Sequence, residues 1–175
     1  NGRFEKIGKL KNNSTVILDY AHSPDALKNC LQNIKDQFSD KRISIVFGCG
    51  GDRDKNKRSQ MGKIANKFCQ KIYLTDDNPR YENPKKIRMD IKKSINKNKL
   101  FEISNREKAI FAAIENLISD EILLVAGKGH EEDQDYGSYI RKFSDKKIIL
   151  KFIKEKNKYL SKNWKVNILN EQFNN

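Results

Sequence analysis

Five short apolar runs alternate with amphipathic helical patterns along this chain of 175 residues, and four of them end in loops rich in glycine or charged residues. That rhythm predicts an α/β, Rossmann-like fold: a mostly parallel sheet of about six strands with helices on both faces, joined by right-handed crossovers. The length suits one domain with a core of its own.

Val16, Ile17 and Leu18 lie in the first run, residues 15–20, which reads as a buried strand. Ser23 can cap the helix that follows, Pro24 suits its first position, and Leu27, Leu31, Ile34 and Phe38 recur at helical spacing. Residues 43–47 make a second strand ending in Gly48-Cys49-Gly50-Gly51, and Met61, Ile64, Ala65 and Phe68 mark the next helix. A third strand, 71–75, leads through Asp77-Asn78-Pro79-Arg80 to a helix opened by Pro84 and bearing Ile87, Ile91 and Ile95. Residues 100–103 form a short fourth strand, and Asn105 caps a helix carrying Ile110, Ala113, Ile114 and Leu117. The most apolar strand is 121–126. A last helix starts at Ser144 and Asp145 and runs to about Tyr159, and residues 164–169 are expected to add a terminal strand. Residues 1–150 are assigned to the domain proper and 151–175 to a Lys/Asn-rich extension of helix plus edge strand.

No run approaches the roughly 20 apolar residues of a membrane-spanning helix. The opening Asn1-Gly2-Arg3-Phe4-Glu5 has no signal-peptide character, and the missing initiator methionine points to a piece of a longer protein. Three cysteines, Cys30, Cys49 and Cys69, without C-x-x-C spacing indicate reduced thiols in a cytoplasmic setting and no metal site. Cys49 is read as filling a tight turn, not as a nucleophile. The net charge of +13 raises nucleic-acid binding as one reading. Its lysines are scattered among asparagines, with no Arg-Gly-Gly tract or RNP-like aromatic pattern, so solvated faces are preferred. A monomer without membrane or nucleic-acid partners is expected.

Chemistry concentrates at four strand ends: Asp19-Tyr20-Ala21-His22, Gly50-Gly51-Asp52-Arg53-Asp54, Asp77-Asn78-Pro79-Arg80 and Gly127-Lys128-Gly129-His130-Glu131. In a parallel sheet these ends share one edge, so the loops can line a common cleft. Arg80, behind a φ-restricted proline, is a carboxylate-binding fork, with Arg53 as a second cation and Glu131 as an acceptor for an ammonium group. Both signs together suit a zwitterionic amino acid better than a nucleotide. The Gly127-Lys128-Gly129 turn lacks the spacing of an ATPase P-loop.

These motifs, with Gly2-Arg3-Phe4-Glu5 before them and Ser23-Pro24-Asp25-Ala26-Leu27 continuing the first loop, closely resemble the C-terminal domain of the Mur ligases over about residues 1–150. The Asp-Asn-Pro-Arg sequence is similar to that of the family's diaminopimelate-adding branch. The resemblance implies an ATP-dependent, amide-forming ligase of peptidoglycan synthesis, of which this chain would be the amino-acid-recruiting domain. ATP, Mg2+ and UDP-MurNAc-L-Ala-D-Glu would be held mainly by domains absent here, so the chain alone is expected to be inactive. Matched by position, Arg53, Asp77, Asn78, Pro79, Arg80, Gly127 and Glu131 would bind meso-diaminopimelate, with Arg80 on its distal carboxylate. Arg3, Asp19 and His22 would approach ATP. For His22 a local backbone contact stands beside that role, and His130 is read as shaping its loop. A lysine-adding ligase of the same family remains the alternative substrate reading.

Overall fold

Burial on both faces shapes the strands at the centre of the sheet. The computed structural model describes residues 2–173, with side chains for residues 2–161. It begins with β1 (Glu5–Lys9), followed by β2 (Thr15–Asp19), β3 (Ile43–Phe47), β4 (Lys71–Leu74), β5 (Leu100–Glu102) and β6 (Ile122–Ala126) in the order β1-β2-β6-β3-β4-β5. All neighbouring pairs are parallel except β1 with β2. The central strands β3 and β6 are buried at every position, which is why they read as unbroken apolar runs.

Successive residues of each strand feed opposite cores. Ile17, Ile45, Ile72 and Leu124 pack under α1 (Pro24–Gln37), α2 (Asn56–Phe68) and α3 (Pro84–Lys92). Val16, Leu18, Val46, Tyr73, Leu123 and Val125 pack under α4 (Arg106–Glu115) and α5 (Asp145–Phe173). Right-handed crossovers require steps in opposite directions to use opposite faces. Accordingly α1, α2 and α3 accompany the steps from β2 out to β5, while α4 accompanies the return to β6. The two expected caps form, Ser23 Oγ accepting from Ala26 N at 3.3 Å and Asn105 Oδ1 from Lys108 N at 3.0 Å, and Asn83 Oδ1, not anticipated, caps α3 by accepting from Lys85 N at 2.9 Å.

Two elements differ from expectation. The sixth strand of the sheet is β1, not a strand at 164–169, which belongs to α5. The two-residue alternation of Trp164, Val166 and Ile168 suggested a strand, but a helix already propagating from Asp145 continues at little cost. β1 occupies the edge beside β2, is partly exposed on both faces, and therefore shows no apolar run. A small second sheet, β7 (Asp133–Asp135) paired with β8 (Ile140–Lys142), was also unanticipated, because its strands are three residues long and polar. The assigned boundary at residue 150 falls inside α5, whose Ile149, Phe152 and Ile153 are core residues. Asn1 and residues 174–175 lie outside the described residues.

The two ends of the β7–β8 excursion meet at Arg106, the first residue of α4, which is 0% exposed. Its Nε and Nη2 donate to the Asp145 carboxylate at 2.8 and 2.7 Å, and Nη2 also donates to Ala126 O at 2.9 Å. Replacing Asp145 with alanine leaves this buried cation uncompensated, and we expect a loss of about 3–5 kcal/mol. Urea unfolding would show it as a lower midpoint at unchanged slope. An Arg106→Met/Asp145→Leu double variant should lose markedly less.

Candidate functional site

The chain leaves β6 toward the face opposite to the one taken after its neighbours β2 and β3, which opens a crevice at their carboxyl ends. A cleft of about 440 Å³ occupies this position. It brings together His22, Arg53, Asp77, Asn78, Arg80, Gly127 and Glu131 from all four predicted loops. Pro79, Asp19 and Arg3 are not in its lining.

The Asp77–Arg80 loop is held from three sides. Gly51 lets the loop after β3 come close enough that a Cβ there would sit 1.9 Å from Pro79 O, and Gly51 N donates to Asn78 O at 2.9 Å. Arg80 has a left-handed backbone (φ +53°), a conformation that costs a side-chain-bearing residue energy and is found where surrounding contacts impose it. Those contacts come from β7. Asp135 O accepts from Arg80 N at 3.0 Å, Asp135 N donates to Asn78 Oδ1 at 3.0 Å, and Gln134 Nε2 donates to Asp77 O at 2.8 Å. Arg80 Nη1 donates to Gly51 O at 2.9 Å, and Nε lies 3.7 Å from Asp135 Oδ2. Presentation of the guanidinium is thus the work of the hairpin and of Gly51 more than of Pro79. Behind the loop, the buried Arg58 of α2 is ion-paired with Glu82 and Asp90.

At the other end of the cleft, Glu131 Oε2 accepts from both Asn78 Nδ2 and Lys128 Nζ at 2.9 Å. Burial pushes the Glu131 carboxyl up, but the Lys128 ammonium and the Asn78 amide outweigh it and hold the group below the usual carboxylate range. Tyr20 is shifted upward by burial and by the neighbouring Glu131 charge. Asp77 Oδ1 accepts from Asn78 N at 2.8 Å, whereas its buried Oδ2 has no hydrogen-bond partner among the described residues. That oxygen sits beside Gly127, 2.6 Å from where a Cβ would be, and 3.8 Å from Arg106 Nη1. Cationic and anionic groups therefore face one cavity across Asn78, an arrangement complementary in charge to a zwitterion.

Around the rim, Arg53 is exposed and makes one long contact, Nη1 to Asp52 O at 3.4 Å. Arg3 is exposed, and Asp19 uses its two oxygens on Phe4 N (2.6 Å) and Ala21 N (2.7 Å), fixing the turn after β2. His22 Nδ1 lies 2.9 Å from Tyr20 O, the local backbone contact, while its exposed ring still lines the cleft. His130 is exposed with its ring 5.7 Å from that of Tyr20. Burial pushes the Cys49 thiol up to about 12, which leaves it unreactive. Sequence reasoning missed Gln134, Asp135 and the contacts of Lys128. The last carried a signal in its flanking glycines, the other two none.

The sequence and the fold recur in known proteins. The family model for the Mur ligase glutamate ligase domain matches residues 2–129. The chain belongs to the Mur ligase family. This is a family of ATP-dependent ligases. The chain is 50% identical over 154 residues to the UDP-N-acetylmuramoyl-L-alanyl-D-glutamate–2,6-diaminopimelate ligase of Rickettsia rickettsii, covering 87% of this chain. It is 48% identical over 157 residues to the ligase of the same name from Buchnera aphidicola subsp. Baizongia pistaciae, covering 89%. It spans 31% of the length of each of these curated relatives. A solved structure of a ligase of that name superposes with a TM-score of 0.80 at 36% identity, over 89% of this chain and 32% of the other. As in other Mur ligases of this fold, the parallel sheet positions the loops.

Gly127 has φ +114° and no room for a side chain against Asp77. Gly127→Ala should lower stability by about 1–3 kcal/mol and displace the Asp77 carboxylate. Thermal unfolding and the side-chain amide resonance of Asn78 would report the two effects.

Proposed function

We propose that this chain is the amino-acid-recruiting part of a ligase that adds meso-diaminopimelate to UDP-MurNAc-L-Ala-D-Glu at the expense of ATP, in peptidoglycan synthesis. The observation carrying this reading is Arg80, fixed at the cleft wall with Asn78 and the ionised Glu131 beyond it. The related ligases of Rickettsia rickettsii and Buchnera aphidicola are named for the same amino acid.

Arg80 takes the distal carboxylate, with Arg53 adding positive potential at the exposed rim. Glu131 accepts from an ammonium group, with the Asp77 carboxylate, which takes the space left by the absent Cβ of Gly127, adding negative potential beside it. With that end anchored, the remaining amine projects from the cleft and, once deprotonated, can attack an activated glutamyl carboxyl held by the rest of the ligase. ATP is the co-substrate that activates this carboxyl. The residues that would approach it are the solvent-facing Arg3 and His22, with Asp19 fixing the backbone near them through Phe4 N and Ala21 N. Magnesium is expected to accompany the ATP; among the described residues no group of three or more histidine, cysteine or acidic side chains is arranged to hold a metal ion. No helix among them is long and apolar enough to cross a membrane.

L-lysine lacks the distal carboxylate and would leave Arg80 unpaired, a loss of about 2–5 kcal/mol. In the full-length ligase, Arg80→Ala should raise KM for meso-diaminopimelate about a hundredfold or more, with a far smaller effect on any residual lysine activity. Steady-state kinetics with both amino acids decide it. A wild-type enzyme that turned over lysine as well as meso-diaminopimelate would sink the proposal.

A further inference from the structure

Lys128 was singled out by its glycine flanks, does not line the cleft, and is 0% exposed. Burying an ammonium is costly unless it is paired and hydrogen-bonded. Here both partners are cleft residues: Nζ donates to Asn78 Oδ1 at 2.9 Å and to Glu131 Oε2 at 2.9 Å. The flanking Gly127 and Gly129, with φ of +114° and +52°, turn the chain so that the side chain points inward from the end of β6.

Two consequences follow from the donor count. Asn78 Oδ1 receives Lys128 Nζ and also Asp135 N, so its Nδ2 has to face Glu131, which it reaches at 2.9 Å. Both Lys128 and Asn78 donate to Oε2 of Glu131, which lines the cleft beside Tyr20. Lys128 thus fixes this carboxylate from behind without lining the cleft itself.

We propose that Lys128 is a positioning residue for the amine end of the amino acid, acting through Glu131 and Asn78. The inference rests on the reading of the cleft as an amino-acid site. The groups facing Glu131 are Tyr20 from the end of β2, Asp77 after β4, Arg106 at the start of α4, Asp135 of β7 across Asn78, and Lys128 itself. Among these, Lys128 is the cation in hydrogen-bond contact. A lowered carboxylate pKa means that the ionised, ammonium-binding form persists as pH falls until that pKa is crossed. Without Lys128 the carboxyl protonates at higher pH.

The test uses the full-length ligase with meso-diaminopimelate. Lys128→Met should raise KM for the amino acid about tenfold or more, with kcat and KM for ATP within about twofold of wild type. The acidic limb of kcat/KM for the amino acid should move to higher pH. Lys128→Gln retains a donor for Asn78 but no charge, so it should recover part of the KM and keep the shifted limb. In a Glu131→Gln background, adding Lys128→Met should raise KM clearly less than it does in the wild type, because the carboxylate is gone and only the contact to Asn78 is left to lose. If Lys128→Met fails to fold, the comparison of Glu131→Gln with the double variant still decides, since the double variant has lost both charges. A further tenfold rise in the double variant, or loss of kcat and thermal stability with the acidic limb unmoved, overturns the proposal in favour of a purely structural lysine. Glu131→Gln without any effect on KM for the amino acid would instead overturn the reading of the cleft.

Discussion

The buried guanidinium of Arg106 is the contact on which the arrangement of the cleft depends. It binds Ala126 O, the last carbonyl of β6, and the carboxylate of Asp145, the first residue of α5. Everything between them, including Glu131 and the whole β7–β8 hairpin, leaves and returns at one side chain. The same group approaches Asp77 from below, so the floor of the cleft and the loop above it share an anchor. Such a pair adds little net stability compared with an apolar replacement, but breaking it on one side exposes the full cost of a buried charge. Its value lies in fixing where the two helices of the α4–α5 face begin.

From that anchor the site is built by mutual constraint. The hairpin grips Asn78 and Arg80 through Asp135, Gly51 closes on Pro79 from the β3 side, and Arg58 braces Glu82 behind. Asn78 is the hinge of the polar arrangement, since its main-chain carbonyl accepts from Gly51 while its amide bridges Lys128 and Glu131. No single loop would hold these groups in register. Convergence of four loops on a rigid sheet edge achieves it at ordinary loop lengths.

The interior of the fold could be read in advance because burial on two faces writes itself as apolar runs, as in residues 122–126, and because Ser23 and Asn105 stand where helix starts need side-chain acceptors. β1 and the hairpin could not be read, since edge and surface strands need no apolar run and β7 pairs through backbone groups common to all residues. In the cleft, Arg80, Arg53 and Glu131 were visible as charged residues at strand ends. The positive φ of Arg80, the role of Asp135 and the inward turn of Lys128 were not, because each depends on contacts between segments far apart in sequence.

The Arg106 clasp also closes a loop. In the folded state the link from Ala126 to Asp145 makes residues 127–144 a ring, as a disulfide would, but it leaves the unfolded chain unconstrained, where a disulfide would restrict it. A protein whose cysteines are all buried and free obtains a closed loop in this way from a guanidinium and a carboxylate. The ring is sealed by interactions that exist only in the folded core. One buried side chain thereby sets the position of every group that residues 127–144 contribute to the cleft, Lys128, Glu131, Gln134 and Asp135 among them.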